Sequence, residues 1–188
     1  MSKLRLGLAL TGSYCSFSKL AQVLPALCGQ FDVLPIFSEN ALKDSRFGEG
    51  AAWLALLENQ SGCEAVTTVA GAEPLGPNGA MDVLAIVPCT GNTLGKLSHG
   101  ITDSAVTMAA KGHLRNGKPL VIGVSTNDGL AGSAENIGRL LNRKNVYLVP
   151  FGQDDPVNKP TSLSCVYDKI APAVEAAYQG RQLQPILM

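Results

Sequence analysis

VLAIVPCTGNTLGKLSHGITDS, residues Val83 to Ser104, is the stretch whose reading decides the fold. Its apolar run, Val83 to Val87, stops at Pro88. Small polar residues crowd the turn that follows, and helical spacing starts at about Thr93. A short apolar run bounded by turn residues reads as a buried strand. In an open α/β sheet this strand–turn–helix step sets hydroxyls, an amide side chain and free backbone N–H groups at the carboxyl end of the strand, where such sheets bind ligands. The stretch reads as a cradle for a phosphate or a cofactor.

The alternation extends in both directions. Leu4 to Leu10, Phe31 to Phe37, Ala65 to Val69, Leu120 to Val124 and Val146 to Val149 read as further strands, Ala65 to Val69 the weakest. Helical spacing covers about Cys15 to Gln30, Phe47 to Asn59, the segment after Thr93, Ser133 to Lys144 and Leu163 to Tyr178. Pro25 is expected to kink the first of these helices or to confine its regular part to one side. In the helix after Thr93, Leu94, Leu97, Ile101, Ala105 and Met108 fall on one stripe. Gly71 to Gly79 is too rich in Gly and Pro for regular structure, and Phe151 to Pro160 reads as a loop. Strands alternating with helices imply a three-layer α/β/α Rossmann-like domain, its parallel sheet of about six strands doubly wound. Residues 1–181 read as that single domain and 182–188 as a C-terminal tail.

Hydrophobic residues make up 46% of the 188 and charged residues 16%, the balance of a compact enzyme-like domain. Fifteen basic and fifteen acidic residues cancel, so nothing points to a nucleic-acid groove or an anionic membrane surface as partner. No apolar stretch approaches the ~18–20 residues of a membrane span. Five scattered cysteines, never in C-x-x-C, argue against structural zinc or a disulfide framework and suit a reducing cytoplasm. The N-terminus, MSKLRLGLALTGS, has the basic-then-apolar order of a short signal peptide. Its run breaks at Thr11-Gly12-Ser13 without a small-x-small cleavage site, and it is read as the first strand.

Four strand ends carry small polar clusters: Thr11-Gly12-Ser13, Ser38-Glu39-Asn40, Cys89 to Thr93, and Ser125 to Asp128. A parallel sheet lines all of them along one edge. Ser and Thr cap helices in any protein, so one cluster alone means little, whereas four at one edge favour a ligand held by helix N-termini and hydroxyls. Two nucleotide fingerprints fail. Gly7 to Gly12 does not give G-x-G-x-x-G, and Gly91 to Leu97 is one residue short of a P-loop, with Leu97 where a magnesium-binding hydroxyl is needed. His99 and His113 are not spaced for a metal and read as helix-surface residues. Cys89 reads as buried filler before a reactive thiol, and Trp53 as core. Asp128, Asp154 and Asp155 suit either an oriented ligand or plain loop solvation.

Pro88-Cys89-Thr90-Gly91-Asn92-Thr93, followed by Lys96 and by Gly100-Ile101-Thr102-Asp103, resembles the P-A-S-A-N-T motif of the flavoprotein family of FMN-binding cysteine decarboxylases. Thr11-Gly12-Ser13 and Ser38-Glu39-Asn40-Ala41 match that family's other flavin contacts. The resemblance implies that Gly12, Ser13, Ser38, Thr90, Gly91, Asn92 and Thr93 contact FMN, with Ser125 and Thr126 at the matching next strand end. Asn92 is the first candidate for a polar contact to the flavin ring or substrate, and Asn127 the second. No general base and no metal ligand is indicated. The family's P-x-M-N-x-x-M-W clamp is reduced here to Val124-Ser125-Thr126-Asn127, and its active-site histidine has no counterpart near Pro74.

Longer blocks, among them Arg46 to Trp53, Leu114 to Leu130, Val149 to Pro156 and Gln182 to Leu187, are similar to one branch of this family. That branch implies a part in oxidising a dihydrodipicolinate-type ring, a small dicarboxylate substrate, to pyridine-2,6-dicarboxylate for bacterial endospores. It further implies a separate A-type subunit carrying the NAD(P)-dependent chemistry, a homo-oligomer, and the mother-cell cytoplasm. An FMN-dependent decarboxylase and a non-catalytic scaffold that has lost its flavin are the alternatives.

Overall fold

The first strand, β1 (Arg5–Leu10), buries every side chain after Arg5, which only a strand covered on both faces can do. The computed structural model describes residues 2–188. It pairs β1 in parallel with β2 (Asp32–Phe37) on one side and with β3 (Val83–Cys89) on the other. Beyond β3 come β4 (Leu120–Thr126) and β5 (Val146–Leu148), also parallel. All of β3 is buried, and each fully buried Leu or Ile contributes about 1.5–3 kcal/mol, so the centre of the sheet is the main apolar anchor.

The crossovers run through α1 (Phe17–Gln30), α2 (Gly50–Ser61), α3 (Val69–Ala72), α4 (Gly91–His99), α5 (Ala105–Arg115) and α6 (Ala134–Leu141), with α7 (Ile170–Tyr178) closing the chain's last turn. β2 lies on the opposite side of β1 from β3, so right-handed connections set α1 and the α4–α5 pair on opposite faces. The doubly wound Rossmann-like arrangement expected from the sequence is present. α1 continues through Pro25 as one helix.

Several local expectations are corrected. The single helix after Thr93 is two. Gly100 adopts φ 73°, and the Gly100 and Ile101 amides return to the Leu97 and Lys96 carbonyls at 3.4 and 2.9 Å, which closes α4. Ser104 then opens α5 with a reciprocal capping box to Thr107. Ile101, placed on the apolar stripe by spacing, falls in the break and is 48% exposed. Ala65 to Val69 makes only a single bridge, Val66 to Ile36, and Gly71 to Gly79 begins in short helical turns capped by Thr68. Phe151 to Pro160 and the start of the last helix hold two more strands, β6 (Phe151–Gly152) and β7 (Leu163–Cys165). β7 runs antiparallel to the end of β4 through Ser125 and Thr126, while β5 occupies the start of the same edge. Within the expected tail, Ile186 to Met188 lie against β6: Phe151 donates to Ile186 and Met188 donates back to Phe151, at 2.9 and 3.1 Å.

His113, read from spacing as a surface residue, is 2% exposed, and its Nε2 meets the Pro119 carbonyl at 3.0 Å. Burial pushes its imidazole down to about 4 from an ordinary 6.5. The unfolded chain therefore takes up a proton between those values that the folded chain refuses. Stability contributed at pH above 6.5 is lost as pH falls toward 4, by about 3 kcal/mol at most. In urea unfolding from pH 7 to 4, His113→Gln is expected to flatten this decline. An identical slope in both proteins would remove His113 as its source.

Candidate functional site

Thr11, just past β1, is 1% exposed and fastens two strand ends together. Its hydroxyl donates to the Pro88 carbonyl at 2.7 Å and accepts the Thr90 amide at 3.0 Å. The chain leaves β1 toward β2 on one side and leaves β3 toward β4 on the other. The crevice above Thr11 is therefore the topological switch point where open α/β sheets bind ligands. Two adjoining lobes open there, sharing Gly12, Tyr14 and Thr90.

The first lobe, about 340 Å³, lies between the Gly12 turn, the Ser38–Leu42 turn and the start of α4. A Cβ on Gly12 would come within 3.2 Å of the Asn40 Cβ, so a side chain at residue 12 would press the two turns slightly apart. Ser38 accepts the Ala41 amide at 3.3 Å, and Thr90 accepts the Thr93 amide at 3.3 Å. A hydroxyl has two acceptor positions and one donor, so the cap bond takes only an acceptor position: Ser38 keeps its proton for a ligand, while Thr90 and Thr93 spend one proton on their 3.1 Å hydroxyl contact and keep the other. Capping and ligand contact are compatible roles here. At the first turn of α4, the Gly91 and Asn92 amides have no intrahelical partner. The Asn92 side chain is exposed and makes no hydrogen bond among the described residues. Lys96, at the same lobe, is tied to Asp103 at 2.8 Å.

The second lobe, about 650 Å³, opens over the end of β4. Ser125 bonds Ser13 at 2.8 Å and Ser16 at 2.7 Å, a hydroxyl cluster beside which the phenol of Tyr167 is buried. Burial pushes that phenol up. The Asn127 carbonyl accepts from Thr161 at 2.7 Å, which ties the 153–162 loop to the site. Asp154 accepts from Ser162 at 2.6 Å, and that bond, aided by Lys159 and Lys19, holds its carboxyl below the usual range.

Of the residues singled out in the sequence, Gly12, Ser13, Ser38, Thr90, Asn92, Thr93, Ser125, Thr126 and Asn127 line these lobes. Gly91 does not. A Cβ there would meet Ser133 at 2.6 Å and Asp128 and Thr126 at 2.8 Å, so it serves the close packing of α4 against the loop after β4. Asp128 is engaged by Thr126 and by Ser133. Cys89 is fully buried with its thiol pushed up, which is filler rather than a nucleophile. Trp53 is half-buried, packing edge-on against Phe17. Lys19, Arg46, Lys159, Ser16 and Tyr167 line or underlie the site without any signal in the strand-end motifs.

The fold and crevice define a flavoprotein-type α/β domain, and the Flavoprotein family model matches residues 1–171. The chain belongs to that family. It is 42% identical over 186 residues to the B-type subunit of dipicolinate synthase from Bacillus subtilis (strain 168), covering 98% of this chain and 93% of that protein. The crystal structure of the corresponding dipicolinate synthase protein from Bacillus halodurans superposes with a TM-score of 0.90 at 38% identity, over 100% of this chain and 97% of that one. The FMN-dependent cysteine decarboxylase SpaF shares the fold, with a TM-score of 0.64 at 19% identity over 96% and 97% of the two chains.

Thr11→Val keeps the shape of the side chain but strands the part-buried Thr90 amide and removes a donor to Pro88. It is expected to cost about 1–3 kcal/mol in urea unfolding with an unchanged m-value. An unmoved midpoint would show that the strand ends are held by other contacts.

Proposed function

We propose that this chain is the B-type component of a dipicolinate synthase and takes part in oxidising a dihydrodipicolinate-type ring to pyridine-2,6-dicarboxylate. The observation that carries this reading is the 42% identity over 98% of the chain with the Bacillus subtilis protein. A separate A-type subunit holding NAD(P) is the expected partner, in a sporulating mother cell, with this chain itself a homo-oligomer. Among the described residues no helix is long and apolar enough to cross a membrane.

The first lobe fits FMN in the chemistry of its donors. The Ser38, Thr90 and Thr93 hydroxyls and the free backbone amide of Asn92 suit a phosphate and a polyol, and the Gly12 turn leaves backbone room for a close approach. FMN bound there supplies a two-electron acceptor. Aromatising the dihydro ring removes one hydride equivalent and one proton. The Asn92 amide, unused within the protein, is placed to orient a ring edge through its donor and acceptor. The Ser13–Ser125–Ser16 hydroxyls, joined to one another and open to the second lobe, can relay the proton toward solvent by exchanging their own, without retaining it.

The purified chain is expected to bind added FMN with a perturbed flavin spectrum and to raise dipicolinate formation by its A-type partner. Asn92→Ala should lower turnover of the mixture by about tenfold or more, the worth of about 1.4 kcal/mol of lost contact. Its melting temperature should stay unchanged. Absence of FMN binding by chain and mixture alike would leave a scaffold role, and full turnover by the variant would reduce the α4 start to capping.

A further inference from the structure

The two lobes differ in charge. The first holds one cation, Lys96, against Glu39 and Asp103, and Lys96 is already paired. The second holds Lys19, Arg46 and Lys159 against Asp154 alone. None of those three cations belongs to an ion pair closer than 4 Å among the described residues. They come from three separate segments, α1, the loop before α2 and the loop between β6 and β7, and they converge on one crevice whose inner wall is hydroxyl. Their effect reaches inward, because Lys159 and Lys19 both help to keep Asp154 ionised.

Arg46 and Phe47 are held at the tip of a tight turn. Ser45 and Gly48 exchange backbone hydrogen bonds at 3.0 and 3.1 Å, with Gly48 at φ 133°. Asp44 then caps the Gly50 amide at 3.0 Å, and a Cβ on Gly50 would sit 1.8 Å from the Leu42 carbonyl oxygen, so this loop has little room to shift. Arg46 stacks 4.8 Å from the centre of the Phe47 ring, and Phe47 stands 43% exposed at the lobe. A guanidinium that can grip a carboxylate in two places beside an exposed aromatic ring suits a flat, anionic ring.

We infer that the second lobe is the seat of a small aromatic dicarboxylate, its two charges met by Arg46 and Lys159 with Lys19 in support and its ring against Phe47. The inference rests on the proposed function for the choice of ligand and goes beyond it in assigning the place and the residues. No part of it requires a flavin to be present.

Calorimetric titration of the full chain with pyridine-2,6-dicarboxylate tests it, with pyridine-2-carboxylate as the singly charged comparison. The dianion is expected to saturate one site and the monoanion to bind about tenfold more weakly or worse. Arg46→Met and Lys159→Met, both at exposed positions, should each weaken the dianion about tenfold while FMN affinity stays within about twofold. FMN and riboflavin titrations of the same variants separate the two anionic ligands. Loss of FMN but not riboflavin affinity would mean that the lobe grips the flavin phosphate, which overturns the inference. So would the absence of saturable dianion binding, or binding unmoved by both substitutions. Dianion binding with the expected variant losses but no FMN binding would leave this site standing and sink the flavin reading instead. Normal FMN binding without the dianion would do the reverse.

Discussion

The Thr11 hydroxyl donates to the end of β3 and accepts from the first residue beyond it, so the two central strands finish at a common level. Everything in the crevice depends on that shared level. From it the Gly12 turn rises toward Asn40, α4 starts at Thr90, and Ser13 reaches across to Ser125 on β4. The hydrogen bonds are ordinary in strength, each worth about 1 kcal/mol net. Their influence comes from position: the Thr11 hydroxyl is itself buried and joins the two strand ends through a single atom.

The same sharing of donor and acceptor positions resolves the ambiguity in the polar clusters. Ser38 and Thr90 do cap local structure, as such residues do elsewhere, yet each gives up only an acceptor position in doing so. Helix starts at a sheet's carboxyl edge thus present hydroxyl protons and amide protons together, and an anion or polyol is the complement of both. Gly91 shows the limit of reasoning by motif. It stands inside the matching hexapeptide, but its lack of a side chain is required by Ser133, Asp128 and Thr126 behind it rather than by the crevice in front.

The parallel part of the sheet and the strand-end edge were legible because buried strands and turn residues leave local marks. The break between α4 and α5 was marked too, by Gly100 and Ser104, but a continuing apolar stripe masked it. Helical spacing carries no penalty for one residue in the left-handed region. His113 was misplaced for a related reason: spacing assigns a face, and burial on that face depends on what packs there, here the Pro119 segment. β6 and β7 were not legible at all. Two- and three-residue strands are too short for a period, and the pairing of β7 with β4 is set by contacts between residues distant in the chain, such as Thr126 with Leu163. Lys19, Arg46 and Lys159 escaped because no motif joins residues that meet only in space.

That antiparallel addition also explains why the crevice has two characters. β5 covers only the first half of β4's outer edge, leaving Ser125 and Thr126 to pair with β7. The pairing turns the 153–162 loop back over the carboxyl edge, where Thr161 is tied to Asn127 and Ser162 to Asp154. Lys159 reaches the second lobe on that loop, while Lys19 arrives from α1 and Arg46 from the far side of the Gly12 turn. The first lobe is built by the core parallel sheet and keeps its one lysine neutralised. The second is built by peripheral segments and collects unpaired positive charge. A fold that keeps a shared cradle at its centre can therefore change the ligand beside it by altering loops alone, without disturbing the strand ends that Thr11 holds level.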